Sequence, residues 1–110
     1  YRVIEICSGD LGTKFAKQYD IEAWFPRQGA YKEITSAGNT TIYQSIPLNI
    51  RYIDGENKKH VHMLNNTMVA TSRTMVAIIE NFQKKDGTVS IPRPLRKYMN
   101  YKRKIGGYNK

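Results

Sequence analysis

The sequence predicts an α+β fold, in which an antiparallel sheet carries one long helix packed across it. Residues 19–25 alternate polar and apolar side chains, which is typical of a half-buried strand. Residues 67–83 carry apolar side chains at helical spacing. Four predicted strands and one short extended piece precede this helix without any strand–helix–strand alternation, so the sheet is predicted to be antiparallel.

The first two strands follow from β-branched and alternating residues. A strand is predicted over 2–7, a turn over 8–12 and a helical turn over 13–18. The second strand begins at Tyr19. Its predicted faces are Asp20, Glu22 and Trp24 on one side, and Ile21, Ala23 and Phe25 on the other.

A hairpin turn at 26–29 leads into a third strand over 30–37. Its predicted faces are Tyr31, Glu33 and Thr35 on one side, and Lys32, Ile34 and Ser36 on the other. The strand should end at 38–41, before a short helix over 41–45 that Pro47 stops.

The second half contains the long helix. An extended piece at 49–53, a polar loop or hairpin turn at 54–59 and a strand at 60–64 precede it. The helix is predicted over 67–83 and ends before Lys84-Lys85-Asp86-Gly87. A last extended piece at 89–92 precedes a basic tail.

The net charge of +9 is concentrated at the C-terminus. From Pro92 onward there are seven basic residues and no acidic residue. Tyr98, Tyr101 and Tyr108 are interleaved with them. Two interpretations remain open: the tail contacts RNA through phosphates and stacked bases, or it is simply solvated.

Composition and isolated polar pairs limit the function classes. No apolar run approaches the roughly 18 residues that cross a membrane, so no membrane partner is expected. Cys7 is the only cysteine, which excludes an internal disulfide, fits a reducing compartment and predicts a buried side chain. Asp20 and Glu22 could hold a cation or simply be solvated. His60 and His62 lack the further ligands that zinc needs.

Three sets of polar residues suit a nucleotide and a small polar ligand. Glu33 and Ser36 are oxygen donors suitable for magnesium that bridges phosphates. Asn65 and Thr67 offer an amide and a hydroxyl where strand becomes helix. Arg73 offers a planar cation that can bind a phosphate. The alternative interpretation is structural: its side chain reaches water or pairs with a carboxylate such as Glu80.

Two stretches of the chain resemble the seryl-tRNA synthetases, which are class II enzymes. The last signature motif of that family is similar to LNNTMVATSR at 64–73, VAIIEN at 76–81, DG at 86–87 and IPRPL at 91–95. The segment before it is similar to ICSGDLG at 6–12, YDIEAWFP at 19–26 and YKEI at 31–34. The resemblance covers about residues 1–99 in the family's order.

The resemblance implies the C-terminal portion of a class II catalytic core over 1–98, with a basic tail over 99–110. It implies cytoplasmic activation of serine with ATP and Mg²⁺, transfer to tRNA(Ser), and a homodimer in the complete enzyme. By resemblance Arg73 is the catalytic arginine that grips ATP, and Glu33 and Ser36 hold ATP and magnesium. Asn65 and Thr67 would line the serine pocket, where a hydroxyl can recognise the substrate hydroxyl.

The chain also departs from the family pattern. Ile42 stands where the family has an acidic residue, and Ile46-Pro47 stand in place of a pair of arginines. The first two class II motifs and the tRNA-binding arm are not in the sequence. We therefore expect the chain to be inactive without the missing N-terminal part or a partner chain that supplies it. The alternative function is a non-catalytic, synthetase-derived module that binds RNA or protein.

Overall fold

A computed structural model describes residues 1–107 and confirms the α+β prediction. The elements are β1 (Arg2–Glu5), β2 (Lys17–Phe25), β3 (Ala30–Thr41), α1 (Ser45–Leu48), β4 (Arg51–Asp54), β5 (Asn57–His60), β6 (Met63–Thr67), α2 (Thr71–Phe82), β7 (Val89–Ser90), a 3₁₀ helix (Arg93–Met99) and β8 (Lys104–Ile105).

The main sheet is antiparallel, and its four strands lie in the order β1, β2, β3, β6. Strands β4 and β5 form a separate hairpin between β3 and β6 along the chain. Strands β7 and β8 form a second small antiparallel pair. Six strands therefore precede α2 in the described chain, where the sequence predicted four.

A β-bulge in β3 changes which residues share a face. Glu22 pairs with Glu33, and its neighbour Ile21, which precedes it in β2, pairs with Thr35. Ile34 therefore has no partner in β2. One extra residue shifts the alternation of every residue that follows it. Ser36 consequently lies on the same face as Glu33, and the prediction that they occupy opposite faces is wrong.

Three predicted boundaries around β3 and α1 are wrong. The helical turn predicted over 13–18 is only a single turn, closed by the Phe15 amide that donates to the Gly12 carbonyl at 2.8 Å, because Lys17 and Gln18 already belong to β2. Strand β3 continues to Thr41 because residues 36–39 and Thr41 pair with β6 on one side. Helix α1 starts at Ser45 and includes Pro47, which a first helical turn tolerates because its N–H groups need no helical partner.

Two further predictions are corrected, and one is confirmed. Helix α2 begins at Thr71 rather than 67, because Asn65 to Thr67 are held in β6 by their pairing with β3. The hairpin turn that was one of the two interpretations of residues 54–59 is confirmed, since β4 pairs with β5 across it. Cys7 is exposed, since it follows the last paired residue of β1 and does not enter the core.

Helix α2 packs across one face of β2 and β3. Phe25 is only 2% exposed beneath it, and Ala77 is buried in the helix. Two polar contacts fix the helix against the sheet. The Asn81 side chain donates to the Trp24 carbonyl at 2.9 Å, and the Arg27 amide donates to the Glu80 carboxylate at 3.0 Å. Glu80 therefore does not pair with Arg73.

The rest of that sheet face is uncovered. Val3, Tyr19, Ile21 and Leu64 alternate onto the same side as Phe25, yet each is exposed, Leu64 by 82%. The radius of gyration is 20.3 Å, whereas a compact domain of this length has about 13 Å. The chain thus builds a sheet and helix with little core of its own. Within residues 1–107 no helix is long and apolar enough to span a bilayer.

The basic C-terminal segment is folded where the structure describes it. Residues 93–99 form the 3₁₀ helix, and the Ile91 amide donates to the Arg103 carbonyl at 2.9 Å as β8 pairs with β7. Tyr108 and Lys110, which the sequence analysis assigned to the tail, lie outside the described residues. The domain boundary at 98/99 stays a prediction.

The turn before β7 supports a pH prediction. The Thr88 hydroxyl donates to the Asp86 carboxylate at 2.7 Å and its amide donates at 3.0 Å, which lowers the pKa of Asp86 below its ordinary value of 3.8. A lowered carboxyl pKa stabilises the fold above the unfolded-state pKa. This stabilisation is lost as the pH falls through the folded-state pKa.

We expect Thr88→Val to raise the pKa of Asp86 towards 3.8, because it removes the hydroxyl that contributes most to the shift. Thr88→Ser keeps the hydroxyl and serves as the control. An NMR titration of the Asp86 carboxyl carbon measures the effect, and equal pKa values in the two variants would contradict it.

Candidate active site on the polar sheet face

One face of the main sheet carries the strand residues that were predicted for the site, and we call it the polar sheet face. The strand register places these side chains there: Arg2, Gln18, Asp20, Glu22, Trp24, Tyr31, Glu33, Ser36, Asn65 and Thr67. Contacts within the set confirm the assignment. Gln18 donates to Asp20 at 2.8 Å, and the rings of Trp24 and Tyr31 meet edge to face with centroids 5.2 Å apart.

Arg73 reaches this face around the open edge of β3. Strand β6 ends at Thr67, opposite Ser36, so the earlier part of β3 has no strand partner on that side. The chain crosses this edge where the Ala70 amide donates to the Ile34 carbonyl at 2.6 Å, and α2 begins immediately afterwards. The first turn of α2 is therefore anchored beside Glu33.

The Arg73 guanidinium donates to Glu33 twice. Nη1 lies 3.0 Å from the Glu33 carbonyl oxygen and 3.0 Å from carboxylate Oε2. The two side chains are 53% and 37% exposed and line a 560 Å³ cavity with Phe25, Lys32 and Ser72. Arg73 therefore pairs with a carboxylate, that of Glu33 rather than Glu80, and it also lines an open cavity.

The remaining candidates lie along β3 and β6 in register. Ser36 pairs with Thr67, and Gly38 pairs with Asn65. Successive same-face pairs are separated by about 7 Å along a strand, so Glu33 and Asn65 mark the ends of a row of about 14 Å. The structure groups Glu33 with Arg73 and Ser36 with Thr67, and it places Asn65 one step further along.

Backbone contacts hold β6 in this register. The Thr35 hydroxyl donates to the Thr67 carbonyl, and the Asn66 side chain donates to the Ser36 carbonyl at 2.8 Å. Both Asn65 and Thr67 belong to the strand itself, four or more residues before α2 begins. Their side chains are therefore positioned by the ladder with β3 and not by the helix.

Glu33 and Ser36 have the ligand chemistry of a magnesium site. Mg²⁺ usually takes one or two carboxylates and completes its shell with waters and substrate phosphates. Glu33 and Ser36 supply a carboxylate and a hydroxyl on one face because of the bulge, so these residues fit such a site. No cluster of three or more His, Cys, Asp or Glu residues that could hold a metal occurs within residues 1–107.

Phe15 is a residue near the site that was not predicted from the sequence. A side chain at position 38 would point to the polar sheet face, and the Phe15 ring fills that space so closely that a Cβ on Gly38 would overlap it. A glycine inside a strand pattern is the signal for such a close approach. Phe15 therefore closes the row of polar residues at the Asn65 end.

Comparison with known proteins places this arrangement in a family. The model of the tRNA synthetase class II core domain (G, H, P, S and T) matches residues 1–82. The chain therefore belongs to the class II aminoacyl-tRNA synthetase core-domain family. Within that family, its curated relatives are serine–tRNA ligases: the Methanospirillum hungatei protein is 56% identical over 105 residues and the Pyrococcus furiosus protein is 56% identical over 104 residues.

Solved structures agree with this assignment. Seryl-tRNA synthetase from Pyrococcus horikoshii, complexed with ATP, matches 99% of this chain with a TM-score of 0.91 and 51% identity. Cytoplasmic serine–tRNA ligase from Naegleria fowleri, in complex with AMP, matches 99% with a TM-score of 0.86 and 43% identity. The matches cover 93% of this chain in the two curated relatives, but only about a quarter of each relative's length.

The contact between Phe15 and Gly38 can be tested by stability. We expect Gly38→Ala to lower the free energy of unfolding by about 1–3 kcal/mol, as overpacking does. Gly9→Ala is the control, because nothing lies within 4 Å of that position. Chemical denaturation measures both, and the Gly38→Ala loss should shrink in a Phe15→Ala background. Equal effects at positions 9 and 38 would contradict the contact.

The Glu33–Arg73 pair should be weak. Both side chains are well exposed, and exposed ion pairs contribute about 0–1 kcal/mol. A double-mutant cycle of Glu33→Gln and Arg73→Gln, measured by denaturation, should give a coupling free energy in this range. A coupling free energy well above 1 kcal/mol would contradict this expectation, because a ligand could not easily displace so strong an ion pair.

Proposed function

We propose that this chain is the segment of a serine–tRNA ligase that forms the sheet wall of its adenylation site. The observation that carries the proposal is the Arg73–Glu33 arrangement, in which a helix cation reaches round the edge of β3 to a row of oxygen donors. The family match supports it. The complete enzyme's activity is proposed for the assembly that contains this segment.

Arg73 is proposed to bind the phosphates of ATP. Its exposed ion pair with Glu33 contributes little, whereas a triphosphate carries several negative charges that a planar guanidinium can bind in bidentate geometry. Replacing the Glu33 carboxylate by a phosphate as the partner of Arg73 should therefore cost little free energy. The bond from Arg73 to the Glu33 carbonyl can keep the side chain at the strand edge meanwhile.

Glu33 and Ser36 are proposed to hold ATP together with Mg²⁺. When bound, the ion would neutralise part of the phosphate charge. The chain's own contribution is to present a carboxylate and a hydroxyl on one face, next to the cation of Arg73. The ATP and AMP in the two similar structures support nucleotide binding here.

Asn65 and Thr67 are proposed to contact serine. They follow Glu33 and Ser36 along the same face, so the amino acid would lie beside the phosphate end of the row. The serine carboxylate would then attack the α-phosphate of ATP, with Arg73 stabilising the developing negative charge. The seryl group would pass to tRNA(Ser). We further propose a homodimer and a cytoplasmic location, both on the family resemblance.

A chimera tests the proposal. This chain would replace the matching quarter of the Pyrococcus horikoshii enzyme, and serine-dependent ATP–pyrophosphate exchange would be measured. We expect exchange in the chimera and a loss of about 100-fold or more with Arg73→Ala, because a transition-state charge partner is removed. Arg27→Ala, in the exposed β2–β3 turn, is the control. An unchanged rate of ATP–pyrophosphate exchange with Arg73→Ala would show that Arg73 has a structural role and no catalytic one.

Thr67→Val tests the serine end of the row. Loss of one hydrogen bond should raise the KM for serine about tenfold, with the KM for ATP nearly unchanged. Thr13→Val, in an exposed turn, is the control. The same exchange assay supplies both constants. Equal losses for serine and ATP would argue against a pocket role.

A second candidate is a non-catalytic module that binds RNA. It is favoured by Ile46-Pro47, which occupy α1 where the family resemblance implies arginines. This candidate predicts a folded chimera with no exchange activity but with retained RNA binding, so the same chimera separates the two functions.

A further inference from the structure

We propose that the C-terminal segment forms a binding site for single-stranded RNA, separate from the polar sheet face. The site is an open cleft of 740 Å³, which we call the basic-aromatic cleft. It is lined by Arg93, Pro94, Leu95, Arg96, Lys97, Tyr98, Tyr101 and Arg103. The inference that the nucleic acid is RNA rather than DNA rests on the proposed function. The inference that the cleft binds a nucleic acid rests on the cleft residues alone.

The cations of the cleft are uncompensated. Four basic side chains line it and no acidic one does. None of the ion pairs found within residues 1–107 involves a cleft residue. Arg96 also makes an internal hydrogen bond, in which its Nε donates to the Ile91 carbonyl at 3.0 Å. Such a surface attracts phosphates, because binding releases counterions from the polynucleotide.

Two tyrosines supply flat surfaces among these charges. Tyr98 is 75% exposed and Tyr101 is 77% exposed. The Lys97 ammonium lies 4.8 Å from the centre of the Tyr98 ring, so a base stacked on the other side of that ring would lie beside a cation. Alternating cations and exposed rings are the features by which proteins bind unpaired bases.

The backbone presents Tyr101 in an unusual way. Asn100 and Tyr101 have φ values of 51° and 58°, a left-handed conformation that bulky residues rarely adopt. The turn is held by the Tyr101 amide, which donates to the Arg96 carbonyl at 2.8 Å, and by the pairing of β8 with β7. This left-handed pair caps the C-terminus of the 3₁₀ helix, and it leaves the Tyr101 ring exposed among the basic side chains of the cleft.

Other anionic partners fit less well. A membrane-binding segment would need a long amphipathic helix, whereas the 3₁₀ helix has only seven residues, three of which are basic. A phosphopeptide site would gather its arginines around one phosphate. Here the cations are spread along an open cleft, which suits a chain of phosphates.

Fluorescence anisotropy of the 110-residue chain with a labelled RNA of about 12 nucleotides tests the proposal. The charge variant is Arg93→Gln/Lys97→Gln/Arg103→Gln. Removal of three phosphate contacts should reduce the slope of log K against log salt by about 2. The control removes the same charge elsewhere, as Arg51→Gln/Lys58→Gln/Lys85→Gln, and should leave most of the slope.

The ring variants test stacking. Tyr98→Leu and Tyr101→Leu should each weaken binding at least about fivefold, whereas Tyr98→Phe keeps the ring and the affinity. Tyr43→Leu and Tyr52→Leu, at exposed positions elsewhere, should have no such effect. Circular dichroism checks the fold. If Tyr98→Leu unfolds the chain, Tyr98→Phe and the charge variants decide the question.

Three results would overturn the proposal: equal losses in cleft and control variants, unchanged affinity in the cleft variants, or tighter binding to anionic vesicles than to RNA. Equal binding of the matching single-stranded DNA would remove the RNA assignment alone. Absence of pyrophosphate exchange in the chimera would contradict the proposed function but would not affect binding at the cleft.

Discussion

A single β-bulge decides which side chains can meet on the main sheet. Without the bulge at Ile34, strict alternation would place Ser36 on the face that Thr35 now occupies, away from Glu33. With it, the oxygen donors of β3 share a face with Asp20 and Glu22 of β2. The cation of Arg73 reaches the same donors because β6 ends early and leaves the edge of β3 open.

The main sheet and α2 bury few apolar side chains between them. Phe25 and Ala77 are buried between α2 and the sheet, but Val3, Ile21 and Leu64 remain exposed on the face that α2 leaves uncovered. Apolar side chains in such number normally lie against another part of a protein. The chain spans about a quarter of its relatives' length, and this agrees with a segment whose neighbours complete the core.

The sequence could predict the strands that alternate and the helix with apolar spacing, because these patterns are local. It assigned both faces of β2 correctly. It could not predict the bulge, since Ile34 fits a regular strand as well as an irregular one and only pairing with β2 distinguishes them. The start of α2 was misplaced for the same reason: Thr67 suits a helix cap, but pairing with Ser36 keeps it in the strand.

The candidate residues themselves came from the family resemblance, and the structure adds their spatial order. Glu33 and Arg73 form one end of the row, Ser36 and Thr67 the middle, and Asn65 the other end. Phe15 could not be identified from its own sequence context, because its contact with Gly38 depends on the β2–β3 pairing. The register of β3 is thus the element on which both the site and its boundary depend.

Disulfide formation across β2 and β3 measures that register most directly. In a Cys7→Ser background, Asp20→Cys/Ser36→Cys should form an intramolecular disulfide under mild oxidation, because the bulge pairs these two positions. Asp20→Cys/Thr35→Cys should not, since Thr35 faces the other side. Efficient bridging of positions 20 and 35 with none between 20 and 36 would show a regular strand and contradict the shared face.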